Sequence, residues 1–183
     1  MGKLFPTIDD RLRSFIEAQQ LFFVATAPSG DEGHVNCSPK GLDTFRVLGA
    51  TTVAYLDFTG SGVETIAHVR QNGRIVIMFC AFAGPPKIVR LHGRATVVEP
   101  NDADFASLAP HFENARQHGV RSIIRVDVTR ISDSCGYGVP LMTFDRQRDQ
   151  LSLWASRKSE EQLREYQQKK NAESIDGISG LGA

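Results

Sequence analysis

A chain of 183 residues, 41% hydrophobic and 23% charged, has the composition of one soluble globular domain with a core of its own. Its 21 basic and 21 acidic residues cancel, so no global field draws it to nucleic acid, and any anion site must come from a local cluster. The longest apolar run, "IVIMFCAFAGPP", is far too short to span a bilayer, and "MGKLFPTIDDRLRSF" turns acidic where a secretory peptide needs an apolar stretch. Cys37, Cys80 and Cys135 are odd in number and form no CxxC pair, which reads as reduced thiols and a cytoplasmic location.

In chain order, "TIDDRLRSFIEAQQ" predicts a helix, with Thr7 and Asp10 in capping-box positions and Ile8, Leu12, Phe15 and Ile16 near one face. "LFFVATA" is a short apolar strand closed by the turn "PSGDEG". "HVNCSPKGL" is extended, with Pro39 marking a sheet edge or a bend. "FRVLGATTVAYLDF" supplies one or two strands, and a helix follows from about Gly62. "RIVIMFCAF" and "KIVRLHGRATVVE" are long strands joined by "AGPP". "NDADFASLA" is a helix capped by Asn101 or Asp102, and "RSIIRVDVTRIS" alternates as a half-buried strand does. From Asp145 to Lys170 the pattern is helical, with Leu151, Trp154, Leu163 and Tyr166 as its apolar positions. The tail "SIDGISGLGA" is expected to be loose unless a partner surface holds it. About six strands fall in the first 132 residues without regular alternation with helices. That predicts one mainly β (α+β) domain over residues 1–183, an antiparallel barrel with peripheral helices, with 145–183 as a C-terminal helix and tail packed on it.

The stretch "GSGVET", residues 60–65, is a glycine-rich turn between a strand and a helix. It fails the dinucleotide fingerprint because Thr65 stands where the third glycine belongs, and it has no Gly-Lys-Ser/Thr of a Walker loop. Ser61 and Glu64 have capping-box spacing, and Gly73 has the position of a helix-ending glycine. Asp57 and Glu64 would repel a phosphate, so phosphate binding there needs cations from elsewhere. Lys40 in "SPKG" and the pair Lys87 and Arg90 in "PPKIVRLHG" are the candidates. Arg90, His92 and Arg94 share one strand face, which is either a phosphate-facing surface or a solvated exterior.

Other constellations are weaker. The five histidines have no zinc-ligand spacing, and GxSxG is missing, so neither a metal nor a Ser-His-Asp site is indicated. Cys37 reads as a redox-active thiol or, more commonly, as a small buried apolar group. In "CGYGVP", residues 135–140, the glycines admit a flat ligand with Tyr137 stacked on it, or simply a tight turn. Trp154 suits a core or a dimer interface.

The succession "GHVNCSPKG", "VAYLDFTGSGVETIAHVRQNGRIVIMFCAF" and "KIVRLHGRATVVE" resembles the pyridoxamine phosphate oxidase-like family of flavin-binding split barrels, over roughly residues 10–130. The resemblance implies a six-stranded antiparallel split β-barrel. It also implies FMN at a homodimer interface with both chains contributing, and an oxidoreductase acting on a small-molecule redox substrate. By the same resemblance Asn36, Ser38 and Lys40 lie on the strand that reaches the cofactor phosphate. Asp57, Thr59, Ser61 and Gly62 pass its ribityl chain and phosphate, and Lys87 and Arg90 match the two basic positions of the family's Arg-Gln-Val-Arg strand. No catalytic acid or base and no metal is implied.

The departures mark a divergent branch. Val35 replaces an arginine at the start of the phosphate strand, Gly62 and Val63 replace an arginine and a lysine, and Ile88 replaces a glutamine. The substrate-gripping Arg-x-His-x-Arg is absent from "LSLWASRKSEEQLREY". Two other readings stay open: a flavin carrier or sensor without turnover, and a split barrel that binds deazaflavin or haem.

Overall fold

Asp9, rather than Thr7, caps the first helix: its carboxylate accepts from the Leu12 amide at 2.8 Å. Helix α1 (Asp10–Glu17) follows and buries Leu12 and Ile16, in a computed structural model that describes residues 2–181. Among the described residues eight strands make one sheet. They are β1 (Leu4–Phe5), β2 (Phe22–Thr26), β3 (Asn36–Lys40), β4 (Phe45–Val47), β5 (Thr52–Phe58), β6 (Arg74–Cys80), β7 (Ile88–Val98) and β8 (Val120–Ser134). Their order is β3-β2-β6-β7-β8-β5-β4, with β1 on β8, and every pairing is antiparallel. The count exceeds six because "FRVLGATTVAYLDF" breaks into β4 and β5 and a two-residue strand is added near the start.

The sheet is mainly antiparallel and curls into a half-barrel. Two irregularities on β8 contribute to the curl, since bulges sharpen local twist. Opposite β7, the pairs His92–Arg130 and Gly93–Val128 leave Thr129 unpaired; opposite β5, the pairs Asp57–Ser122 and Phe58–Val120 leave Arg121 unpaired. The inner face carries the main core, including Phe22, Tyr55, Ile77, Phe79, Leu91 and Ile124. Phe22, Phe45, Tyr55 and Phe79 meet edge-on or tilted, at centroid distances from 4.9 to 5.8 Å. A second cluster, with Leu56, Ile123, Leu108 and Phe112, seats α3 (Ala103–Leu108) and the 3₁₀ turn Ala109–His111 on the other face. Strand β5, next to the edge strand β4, is therefore buried on both sides, and "VAYLD" shows no alternation.

The Ser61–Glu64 capping box does not form. Helix α2 (Glu64–Asn72) starts after Val63, whose side chain is buried, and no side chain caps it. Glu64 still sits in the first turn, where the helix dipole favours a carboxylate. At the other end Gly73 takes φ +69° and donates to the Val69 carbonyl, as a helix-ending glycine does. The single helix expected over 145–170 is two, α4 (Gln150–Ser156) and α5 (Glu160–Lys170), because Ser159 and Gln162 form a capping box that restarts the helix. Trp154 bridges them, 4.9 Å from the Tyr166 ring centroid.

The tail is not loose up to Leu181; it is tied to its own chain. The Gly180 and Leu181 amides donate to the Ala172 and Asn171 carbonyls, Arg70 holds the Gly180 carbonyl, and Asp176 pairs with His34 at 2.6 Å. Gly182 and Ala183 lie outside the described residues.

Candidate functional site

The split of the half-barrel lies where the edge strand β3 faces the end of β5. A cavity of about 430 Å³ opens there. Its polar lining includes Ser38, Lys40, Thr59, Ser61 and Arg121, and its apolar lining includes Leu42, Phe58 and Leu151.

Beneath it lies a charge cluster that spans the split. Asp57 is wholly buried. Its Oδ1 takes the Lys40 ammonium at 3.0 Å, and its Oδ2 takes the Arg121 Nε at 2.6 Å. Burial alone would raise the Asp57 carboxyl, but Arg121 and then Lys40 overcome this and hold it at about 2. Asp57 is thus ionised and neutralised, so it does not repel an anion. Tyr55, close by, is pushed well up by burial and by the Asp57 charge.

Arg121 owes its position to the bulge. Asp57 pairs with Ser122, so strict alternation would turn Arg121 to the opposite face; the extra residue brings it to Asp57 instead. Its Nη1 donates at 2.9 Å to both the Gly62 carbonyl and Asn171 Oδ1. Nη2 has no hydrogen-bond partner among the described residues and is not sealed from the surface. Asn171, fully buried just beyond α5, returns Nδ2 to the Gly60 carbonyl at 3.0 Å, and Gln167 on α5 reaches Thr59 Oγ1 at 2.8 Å. The glycine turn is therefore fixed from behind by side chains that sequence reading missed.

Of the residues singled out from the sequence, Ser38, Lys40, Thr59, Ser61 and Gly62 line this one cavity. Asn36 lies behind it: its Nδ2 donates to Thr65 Oγ1 at 3.0 Å, and its Oδ1 accepts from the Ser38 hydroxyl at 3.0 Å. Asn36 thereby orients Ser38. Glu64 also reaches the cavity, its carboxylate folded back over Gly62.

Lys87 and Arg90 lie elsewhere. Directly paired residues share a sheet face. Lys40 pairs with core-facing Phe22, whereas Arg90 pairs with Met78, Met78 with Phe23, and Phe23 with Pro39. Arg90 is therefore on the other face from Lys40, where it donates to Ser134 Oγ at 3.0 Å. Lys87 sits over the Phe15 ring at 4.9 Å.

Two further stretches are placed as follows. Cys37 is exposed, on the opposite side of β3 from Ser38 and Lys40, and is neither buried nor in the cavity. Gly136 (φ +67°) lies in a turn closed by the Val139 amide on its carbonyl and packs against backbone just before β7, since a Cβ there would lie 2.9 Å from the Lys87 amide. Tyr137 is 82% exposed. Among the described residues no helix is long and apolar enough to cross a membrane, and no group of three His, Cys, Asp or Glu is placed to hold a metal ion.

Residues 8–135 match the family described as pyridoxamine 5'-phosphate oxidase. The chain is 39% identical over 196 residues to the pyridoxamine 5'-phosphate oxidase family protein ustO of Aspergillus flavus, covering 99% of this chain and 78% of that protein. Group A Streptococcus HupZ is similar with a TM-score of 0.54 at 25% identity, over 68% of this chain and 91% of that one. A protein of Syntrophomonas wolfei described as FMN-binding shares the fold, with a TM-score of 0.50 at 15% identity, over 73% and 85% of the two chains. On the matched span, the antiparallel half-barrel and the relative in Aspergillus flavus, the chain belongs to the pyridoxamine 5'-phosphate oxidase family.

Proposed function

We propose that the protein is an FMN-dependent oxidoreductase that works as a homodimer and takes its flavin in the Lys40–Arg121 cavity. The observation that carries this reading is the cavity's mixed lining. Cation-backed donors and apolar residues line the same space, which suits a ligand with a phosphate and a flat ring. Lys40, Arg121 Nη2, Ser61 and Thr59 would hold the phosphate end, and Leu42, Phe58 and Leu151 would exclude water from the ring. The flavin would supply the redox chemistry. The chain's part is to bind, orient and shield.

Lys40, Arg121, Asp57 and Glu64 sum to no net charge, so a phosphate dianion needs further cations. Arg90 faces away from its own chain's cavity, which supports its serving a partner subunit's site. The ionisable cavity groups Lys40 and Arg121 are committed to Asp57, which also favours a second reading, a flavin carrier or sensor without turnover.

Purified protein is expected to be yellow, absorbing near roughly 450 nm, and to release FMN identified by its mass. Reduction followed by reoxidation with candidate acceptors separates an oxidoreductase from a carrier. Release of FAD would replace FMN in the reading, a haem or deazaflavin spectrum would replace the flavin, and a colourless protein that takes up no added flavin would refute it.

A further inference from the structure

We propose that Leu42 is a ligand-contacting residue of the cavity, held there against its own backbone preference; this rests on the flavin reading above. Leu42 and Asp43 are the two non-glycine residues with positive φ among those described, at +61° and +52°, and they are adjacent. Left-handed backbone disfavours a side chain with a Cβ, and most of all a bulky one. Glycine or asparagine would make the same turn at lower cost.

Such a conformation persists only when its surroundings over-determine it. Here they do. Arg46 grips the Asp43 carboxylate through Nη1 and Nη2, both at 2.9 Å, and its Nη1 also reaches the Asp43 carbonyl at 3.0 Å. Thr44 Oγ1 donates to the Gly41 carbonyl at 2.7 Å. Gln147, from beyond the family-matched span, accepts the Leu42 amide at 3.1 Å and donates to the Gln20 carbonyl.

The brace does not serve core packing, because Leu42 belongs to neither hydrophobic cluster. Leu42 lines the cavity, as does Leu151 of α4. A leucine at a costly position, outside the core and on the wall of the ligand cavity, is explained by contact with the ligand. Both it and Leu151 then give the site an apolar rim that comes partly from the C-terminal segment.

Leu42→Ala and Leu42→Gly separate contact from strain. Both remove the side chain, but only glycine relieves the backbone. Without flavin, Leu42→Gly should unfold at higher urea than Leu42→Ala. On titration with FMN, followed by flavin fluorescence, both should bind about fivefold more weakly or worse, for loss of roughly half a leucine's burial. Binding within about a factor of two of wild type in both variants would overturn the proposal. So would weakening in the alanine variant alone, which would mean that Leu42 acts through the fold. Wild-type protein that takes up no FMN would overturn the flavin reading and this proposal together, whereas normal wild-type binding with unaffected variants would overturn the proposal alone.

Discussion

Asp57→Asn keeps the side chain's shape and removes the one charge that Lys40 and Arg121 share. Two estimates bracket the effect. The carboxyl is held at about 2 against an ordinary 3.8, which corresponds to on the order of 2 kcal/mol. Removing one partner of a buried ionic group costs about 3–5 kcal/mol, because the other charge is left uncompensated. Lys40 is partly exposed and can turn toward water, but Arg121 is 6% exposed and cannot. Asparagine still accepts from Arg121, so a loss of about 3 kcal/mol at pH 7 is expected.

The sign in acid follows from the direction of the shift. A depressed carboxylate contributes stability that is fully present above pH 3.8 and is lost as pH falls through that value toward 2. Urea unfolding of the wild type, followed by circular dichroism at pH 7 and at steps from pH 6 down to 2, should show this loss. In the Asp57→Asn variant that part of the acid limb should be missing. A variant within about 1 kcal/mol of wild type at pH 7, with an unchanged acid limb, would refute the assignment of the cluster as a buried, mutually dependent unit.

Gly73→Ala should cost about 1–2 kcal/mol in urea unfolding, for backbone strain at φ +69°, since the nearest atoms to an added Cβ are at an ordinary 3.6 Å. Asn171→Ala should cost about 2–3 kcal/mol by the same measurement, because the Gly60 carbonyl and one Arg121 donor lose their buried partner. Arg90→Ala should weaken FMN binding by roughly one to two decades; an effect within about a factor of two would leave Arg90 a sheet residue bonded to Ser134. If Lys40 and Arg90 of one site come from different chains, mixed dimers of Lys40→Ala and Arg90→Ala subunits regain one good site per dimer. Flavin titration should then find half the wild-type load, and mixed dimers with none would refute the shared site.

The alternating and apolar runs were legible because β2, β6, β7 and much of β8 carry their faces in their side chains. So was the part of the site that is continuous in the chain: Ser38 and Lys40 at the end of one strand, and Thr59, Ser61 and Gly62 in one turn. What stayed hidden depends on register. The opposite facing of Lys40 and Arg90 emerges only by following Pro39, Phe23 and Met78 across three strands. Arg121 looks like an ordinary polar position in "VRSIIRVDV", since nothing local marks the extra residue. The Ser61–Glu64 spacing misled because spacing does not fix where a helix starts. Buried Val63 and the Arg121 bond to the Gly62 carbonyl set that point instead.

The unpaired place of Arg121 on β8 makes chain length itself a switch between fold and site. Val120 pairs with Phe58 and Ser122 with Asp57, so excising residue 121 would join two correctly registered neighbours into a regular ladder. Ile123, Ile124 and Val126 would keep the faces they now bury, while Asp57 would lose its stronger partner and the glycine turn its rear support. A single-codon loss here would thus separate the two properties, keeping the ladder of the half-barrel while changing the charge beneath its cavity. Alignments that close this gap silently would pair an arginine with nothing and still score the barrel as intact.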